Sequence, residues 1–190
     1  MSAISPTVDS PNQLGHAPGG NPFLQSDPTI ANAPLAHGAQ GTFQTLAVMA
    51  QAVRGEIGPD FCGYQSPYIQ GFAQRLGSVD ACFNYVSKQI QYLAHPVDAQ
   101  IVQDACRTLQ FRTGDCVSKS VLLATLLASL GYHVRFVAQY YSDAQMYSHV
   151  YVEALLNGDW VQLDPVASDK PMGWSQSLPD SGFETAYEIF

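Results

Sequence analysis

Cys116, His149 and Asp164 are the residues whose types and setting could carry covalent chemistry. A thiol nucleophile, an imidazole base and a carboxylate that orients the base suffice for acyl transfer at an amide. Cys116 opens an apolar run from Val117 to Gly131, with Val121, Ala124 and Ala128, and Leu123, Leu127 and Leu130, at spacings of three and four. That period is helical, and apolar residues nearly all round place the helix inside a core. A cysteine in a first helical turn lies among free N–H groups at the positive end of the dipole, which favours thiolate. Asp115 or Thr113 can cap the helix, and a capping role would turn the Asp115 charge away from the sulfur. The bland alternative makes Cys116 packing, His149 an incidental strand residue and Asp164 a turn former before Pro165.

Two strands must position the other two groups. Residues 147–154 alternate and are rich in aromatic and β-branched types, and residues 158–165 follow after Asn157-Gly158. Asn-Gly is a hairpin signal, so the strands are antiparallel neighbours whose paired residue numbers sum to about 315. His149 then stands across from about residue 166, beside Asp164.

The three motifs, Gly114-Asp115-Cys116 before an apolar helix, His149-Val150-Tyr151-Val152-Glu153, and Trp160-Val161-Gln162-Leu163-Asp164-Pro165, occur in this order. Together they resemble the transglutaminase-like cysteine peptidase superfamily over about residues 79–166. The resemblance implies a papain-like α+β fold, with the Cys helix packed on a small antiparallel sheet. It also implies a catalytic triad of Cys116, His149 and Asp164 acting on a peptide or isopeptide amide, by hydrolysis or by transfer to an amine, with no cofactor. Asp at position 115 is common in that family. Glu153 and Trp160 belong to its pattern as support.

An oxyanion needs two donors. The Cys116 N–H is one, and Gln110, Gln91, Tyr92 or Trp160 could supply the second. Gln110 is equally a loop residue, and Trp160 reads better as core.

The net charge of −8, from 8 basic and 16 acidic residues, argues against nucleic acid and anionic lipid as partners. Nothing approaches the roughly 18 apolar residues of a membrane span. There is no C-x-x-C, H-E-x-x-H or EF-hand loop, so no metal is implied. With no secretory signal in view, the four cysteines, Cys62, Cys82, Cys106 and Cys116, are expected as free thiols in a cytoplasmic setting, or virion-associated if the chain is of phage origin; a Cys62–Cys82 bridge is the alternative.

Residues 1–41 are punctuated by proline and glycine and read as an irregular arm, holding His16 and His37, that could order on an assembly partner. Residues 42–166 form the catalytic domain. Helices are expected from Thr42 to Gly55 or Gly58, from Pro67 to Leu76, over 79–94 after the Ser78 cap, and from an Asp98 cap through Leu109; a strand follows over 132–141. Residues 167–190 read as a loop-rich tail with aromatic anchors. A second reading of the whole chain is a structural or interaction module that uses this fold as a scaffold.

Overall fold

The structure, a computed structural model, describes residues 30–32, 38–94, 101–140, 149–175 and 182–190. Most of the arm, with His16 and His37, the His95-Pro96 break, the Asp98 cap and the 142–145 connection lie outside the described residues.

In chain order the elements are β1 (Ile30–Asn32), α1 (Gly38–Arg54), α2 (Pro67–Leu76), α3 (Val79–Gln89), β2 (Gln91–Tyr92), β3 (Ile101–Gln103), α4 (Ala105–Phe111) and β4 (Thr113–Gly114). They continue with α5 (Cys116–Ser129), β5 (Val134–Tyr140), β6 (His149–Leu156), β7 (Asp159–Leu163) and β8 (Phe183–Glu188). Helix α5 is the axis of the molecule, and α1, α2, α3 and α4 all pack on it, as do β5 and β6. Every residue from Val117 to Ala128 is buried, as a helix apolar all round requires. The result is an α+β fold: a helical layer, the buried axis and an antiparallel sheet in the order β7-β6-β5-β8.

Local chemistry explains most boundaries. Ser78 Oγ accepts from Ala81 N at 3.1 Å and starts α3. Pro67 occupies the first turn of α2, and Gly77, at φ 76°, ends it. Asn157 and Gly158 both have positive φ, 54° and 96°, as a tight hairpin turn needs. The β6–β7 register pairs Val152 with Leu163 and Leu156 with Asp159, the sum of 315 expected from that turn. In β6, Val150, Val152 and Ala154 belong to the core under α5, which leaves His149, Tyr151 and Glu153 to the other row.

Four expectations need correction. The helix from Val79 stops at Gln89, because Ile90 is extended (φ −101°, ψ 112°) and Gln91 and Tyr92 pair in parallel with Thr113 and Gly114. Ile101 to Gln103 form a strand against β1, so part of the arm is built into the fold, and the α4 cap is Asp104, which accepts from Arg107 N at 2.6 Å. The C-terminal segment is not loop throughout: Phe183 to Glu188 pair with β5 over six residues. Finally, Cys62 bonds to Cys106, not Cys82, with Cα atoms 5.7 Å apart, so these two are not free thiols. Cys82 is buried and free, and burial pushes its thiol up to about 11, which fits a packing role.

Candidate active site

Cys116 is the first residue of α5, immediately after the Asp115 cap, whose Oδ1 accepts from Ser118 N at 2.8 Å. Its N–H has no carbonyl one turn back, as at any helix start, and so can donate to a ligand. Gly114 lets β4 run close over this turn: a Cβ there would lie 2.8 Å from Ser118 Cβ. The turn is thus held by its cap and by the β2–β4 ladder, in which Gln91 N donates to Arg112 O at 2.8 Å and Leu93 N to Gly114 O at 3.1 Å.

The hairpin brings the other two groups together. His149 Nε2 and Asp164 Oδ2 are 2.8 Å apart, with both side chains largely buried. Asp164 Oδ1 accepts from Val166 N at 2.9 Å, which fixes the carboxylate plane. An ionised carboxylate only accepts, so a neutral imidazole meeting it carries its proton on Nε2 and has Nδ1 free to accept. The link to Cys116 runs through the next residue of β6. The Val150 amide N–H is aimed at the Cys116 sulfur, as is that of Val117, and Ser120 Oγ donates to Val150 O at 3.2 Å. No direct hydrogen bond joins Cys116 to His149.

The electrostatics differ from the expectation of a stabilised thiolate. Burial, and then the Asp115 carboxylate, push the Cys116 thiol up to about 12, against the pull of the Val150 and Val117 amides; Asp164 adds to the rise. Capping does not remove the influence of Asp115 on the sulfur. The resting group is therefore a thiol.

Of the four proposed second oxyanion donors, Tyr92 is the one set beside Cys116. It pairs with Gly114, and burial, then Cys116 and Asp115, raise its phenol, which keeps the O–H available to donate. Gln91 precedes it on the same short strand, and Gln110 is exposed on α4. Trp160 pairs with Leu155, toward the end of β7 away from Asp164, under the Arg135 guanidinium at 4.2 Å from the ring centroid. Glu153 bonds Arg135 at 2.6 Å, directly across the β5–β6 ladder, as a supporting residue would.

Two supporting features went unread in the sequence. Behind His149, Tyr151 OH and Gln139 Nε2 both donate to Glu184 Oε1, at 3.0 and 2.8 Å, and Gln139 stands opposite both His149 and Glu184. This row ties β8 to the histidine strand; burial, then Glu184, hold the Tyr151 phenol protonated. The second is Lys119, 2% exposed, whose Nζ donates to Ile90 O at 2.8 Å. The lysine interrupts an apolar helix, a signal that it must find a partner inside. Among the described residues no group of three or more His, Cys, Asp or Glu could hold a metal ion, and no helix is long and apolar enough to cross a membrane.

The profile of the Transglutaminase-like superfamily matches residues 64–165, just over half of the chain, with Cys116, His149 and Asp164 inside the match, and the chain belongs to that superfamily. Among solved structures, a candidate protease from Parabacteroides distasonis ATCC 8503 aligns with a TM-score of 0.51 at 18% identity, over 67% of this chain and 26% of that one. A candidate cysteine protease from Cytophaga hutchinsonii aligns with a TM-score of 0.45 at 17% identity, over 64% of this chain and 47% of that one. The chain therefore spans less than half the length of either protein, and the likeness is one of fold. No curated protein matches the chain.

Proposed function

From membership of the transglutaminase-like superfamily, we propose that this chain is a cysteine-dependent acyl-transfer enzyme acting on amides of peptides or proteins, with Cys116, His149 and Asp164 as its triad. The observation that carries the reading is the 2.8 Å His149–Asp164 contact on the strand whose next amide is aimed at the Cys116 sulfur.

The raised thiol favours concerted proton removal over a preformed ion pair. His149 Nδ1 takes the Cys116 proton as the sulfur bonds to the carbonyl carbon, and Asp164 holds the ring and stabilises its charge. The carbonyl oxygen, now an oxyanion, accepts from the Cys116 N–H, with Tyr92 OH as the second donor. His149 returns the proton to the leaving amine as the C–N bond breaks, giving an acyl-Cys116 thioester. Water or an amine, deprotonated by His149, then releases the acyl group.

The test needs no natural substrate. p-Nitrophenyl acetate should acetylate Cys116, read by intact and peptide mass spectrometry, and turn over in water or faster with hydroxylamine. Changing His149 to Ala should slow acetylation about a thousandfold, the usual size of lost general-base catalysis. Equal rates in the two proteins, or acetylation elsewhere only, would overturn the reading.

A further inference from the structure

The chain contains three lysines, Lys88, Lys119 and Lys170, and all three line two adjoining hollows beside the site. The nearer hollow, about 630 Å³, is bounded by Tyr92, Lys119, Lys88 and, just past Asp164, Val166 and Ser168. The farther, about 510 Å³, shares Lys88 and Ser168 with it and continues to Asp80, Asp169 and Lys170. Together they make a groove along α3, from Asp80 to Gln89, facing the segment that follows the Asp164 strand. It reaches the Cys116 turn at Tyr92, which pairs with Gly114 two residues before the cysteine.

The charges in this groove are uneven. The nearer hollow has two lysines and no carboxylate in its lining, in a chain of net charge −8. Lys170 already pairs with Asp169 at 2.9 Å, but the partners of the other two are neutral. Lys88 Nζ donates to Asn84 Oδ1 at 2.6 Å, and Lys119 Nζ to Ile90 O at 2.8 Å and Ser87 O at 3.4 Å. Among the described residues neither has a carboxylate within ion-pair distance, and Asp164 acts on Lys119 only at longer range. A buried ammonium held by carbonyls alone is costly, and an entering anion would offset that cost. Four of the five arginines are engaged elsewhere: Arg54, Arg75, Arg107 and Arg135 meet the Ile189 carbonyl, Phe72, Phe111 and Glu153 respectively, and Arg112 does not line either hollow.

We propose that this groove selects acyl-transfer substrates carrying a carboxylate, a Glu or Asp side chain of a peptide flanking the reacting amide, and that Lys88 and Lys119 are its specificity-determining residues. The proposal rests on the acyl-transfer reading for its consequence, but the groove can be tested apart from it. Burial pushes the Lys119 ammonium down to about 8, so a bound carboxylate would also secure its charge.

Two measurements decide the matter. Acetyl-dipeptide vinyl sulfones with Glu, Gln or Lys next to the electrophile are reacted with the full chain, and labelling of Cys116 is followed by mass spectrometry. The Glu probe should label about tenfold faster than the Gln probe, an electrostatic preference that weakens with salt. Lys88→Gln should reduce that ratio to near one, and Lys88→Glu should favour the Lys probe. In parallel, binding of acetyl-Glu-Glu-Gly amide and acetyl-Gln-Gln-Gly amide to the Cys116→Ala protein is measured by calorimetry. The acidic peptide should bind at least about fivefold tighter, and Lys119→Met should cancel the difference. Equal affinities would overturn the groove proposal whatever the probes do. Failure of every probe at Cys116 alongside a retained preference for the acidic peptide would sink the acyl-transfer reading and leave the groove standing.

Discussion

The first turn of α5 holds two groups in opposite electrostatic settings. Cys116 sits near Asp115 and Asp164; Lys119 sits at the carbonyl end of α3 and shares the lining of one hollow with Lys88. Burial drives both groups toward their neutral forms, the thiol up to about 12 and the ammonium down to about 8. The neighbours then decide what each can do. Beside carboxylates the sulfur keeps its proton until a base removes it. Beside carbonyls the ammonium is held without a counter-charge. One helix thus presents a protonated thiol and a cation bonded only to carbonyls, nearly one turn apart.

Asp164 acts on both groups, so Asp164→Asn should disturb the contrast most. Acylation should fall about a thousandfold through loss of the oriented His149. In the same protein the Cys116 thiol and the Lys119 ammonium should both titrate lower, because one negative neighbour is gone; alkylation profiles and lysine ¹⁵N shifts against pH would read this. A rise in either value would break the shared-carboxylate account.

The Cys62–Cys106 bridge closes a separation of 44 residues and fastens α4, while the first turn of α5 is held by its own cap and by the β2–β4 ladder. Its reduction should cost about 4 kcal/mol in urea unfolding by loop entropy, and leave Cys116 acetylation unchanged below the transition. A matching loss of acetylation would show that the turn is not locally held.

Lys119 sets the next effect. Its folded value is depressed, so its contribution to stability is present above its unfolded value of 10.5 and is lost as pH falls through about 8. Relative to Lys119→Met, the wild type should therefore gain about 2 kcal/mol between pH 7 and pH 10. Comparing the two proteins cancels Cys82 and Cys116, whose raised thiols act in the opposite sense at high pH. A flat difference would mean that Lys119 is not buried as charge.

Asp115→Asn sharpens the anionic setting with the smallest change, because Asn still caps the helix. Iodoacetamide should alkylate Cys116 about three- to tenfold faster at pH 8, as the thiol moves toward its ordinary range. An unchanged rate would assign the raised value to burial alone.

Much of this corner was legible in the sequence because short-range chemistry writes it. Asn157-Gly158 sets the register that lays Asp164 beside His149, and the apolar run after Cys116 can only be a buried axis. The rest depended on pairing between distant segments. Nothing near Gln91 announces a strand; Thr113 and Gly114 make it one. Ile101 to Gln103 follow a helical period but pair with residues 30–32 of the arm. Which cysteines join is not a property of spacing. The β8 strand did leave a trace, since Phe183, Thr185, Tyr187 and Ile189 alternate with smaller or charged residues, but the prolines and glycines before them masked it. Lys119 left the clearest sign, a charge inside an apolar helix.

Cys116 and Lys119 are three positions apart on one continuous helix. That separation corresponds to about 4.5 Å along the axis and nearly one full turn around it. On the proposed reading, the helix works as a ruler between the bond to be broken and the charge to be recognised. A gauge cut into backbone cannot stretch as loops do. Surface segments around the groove could change length or composition while the interval between reaction and recognition stays the same.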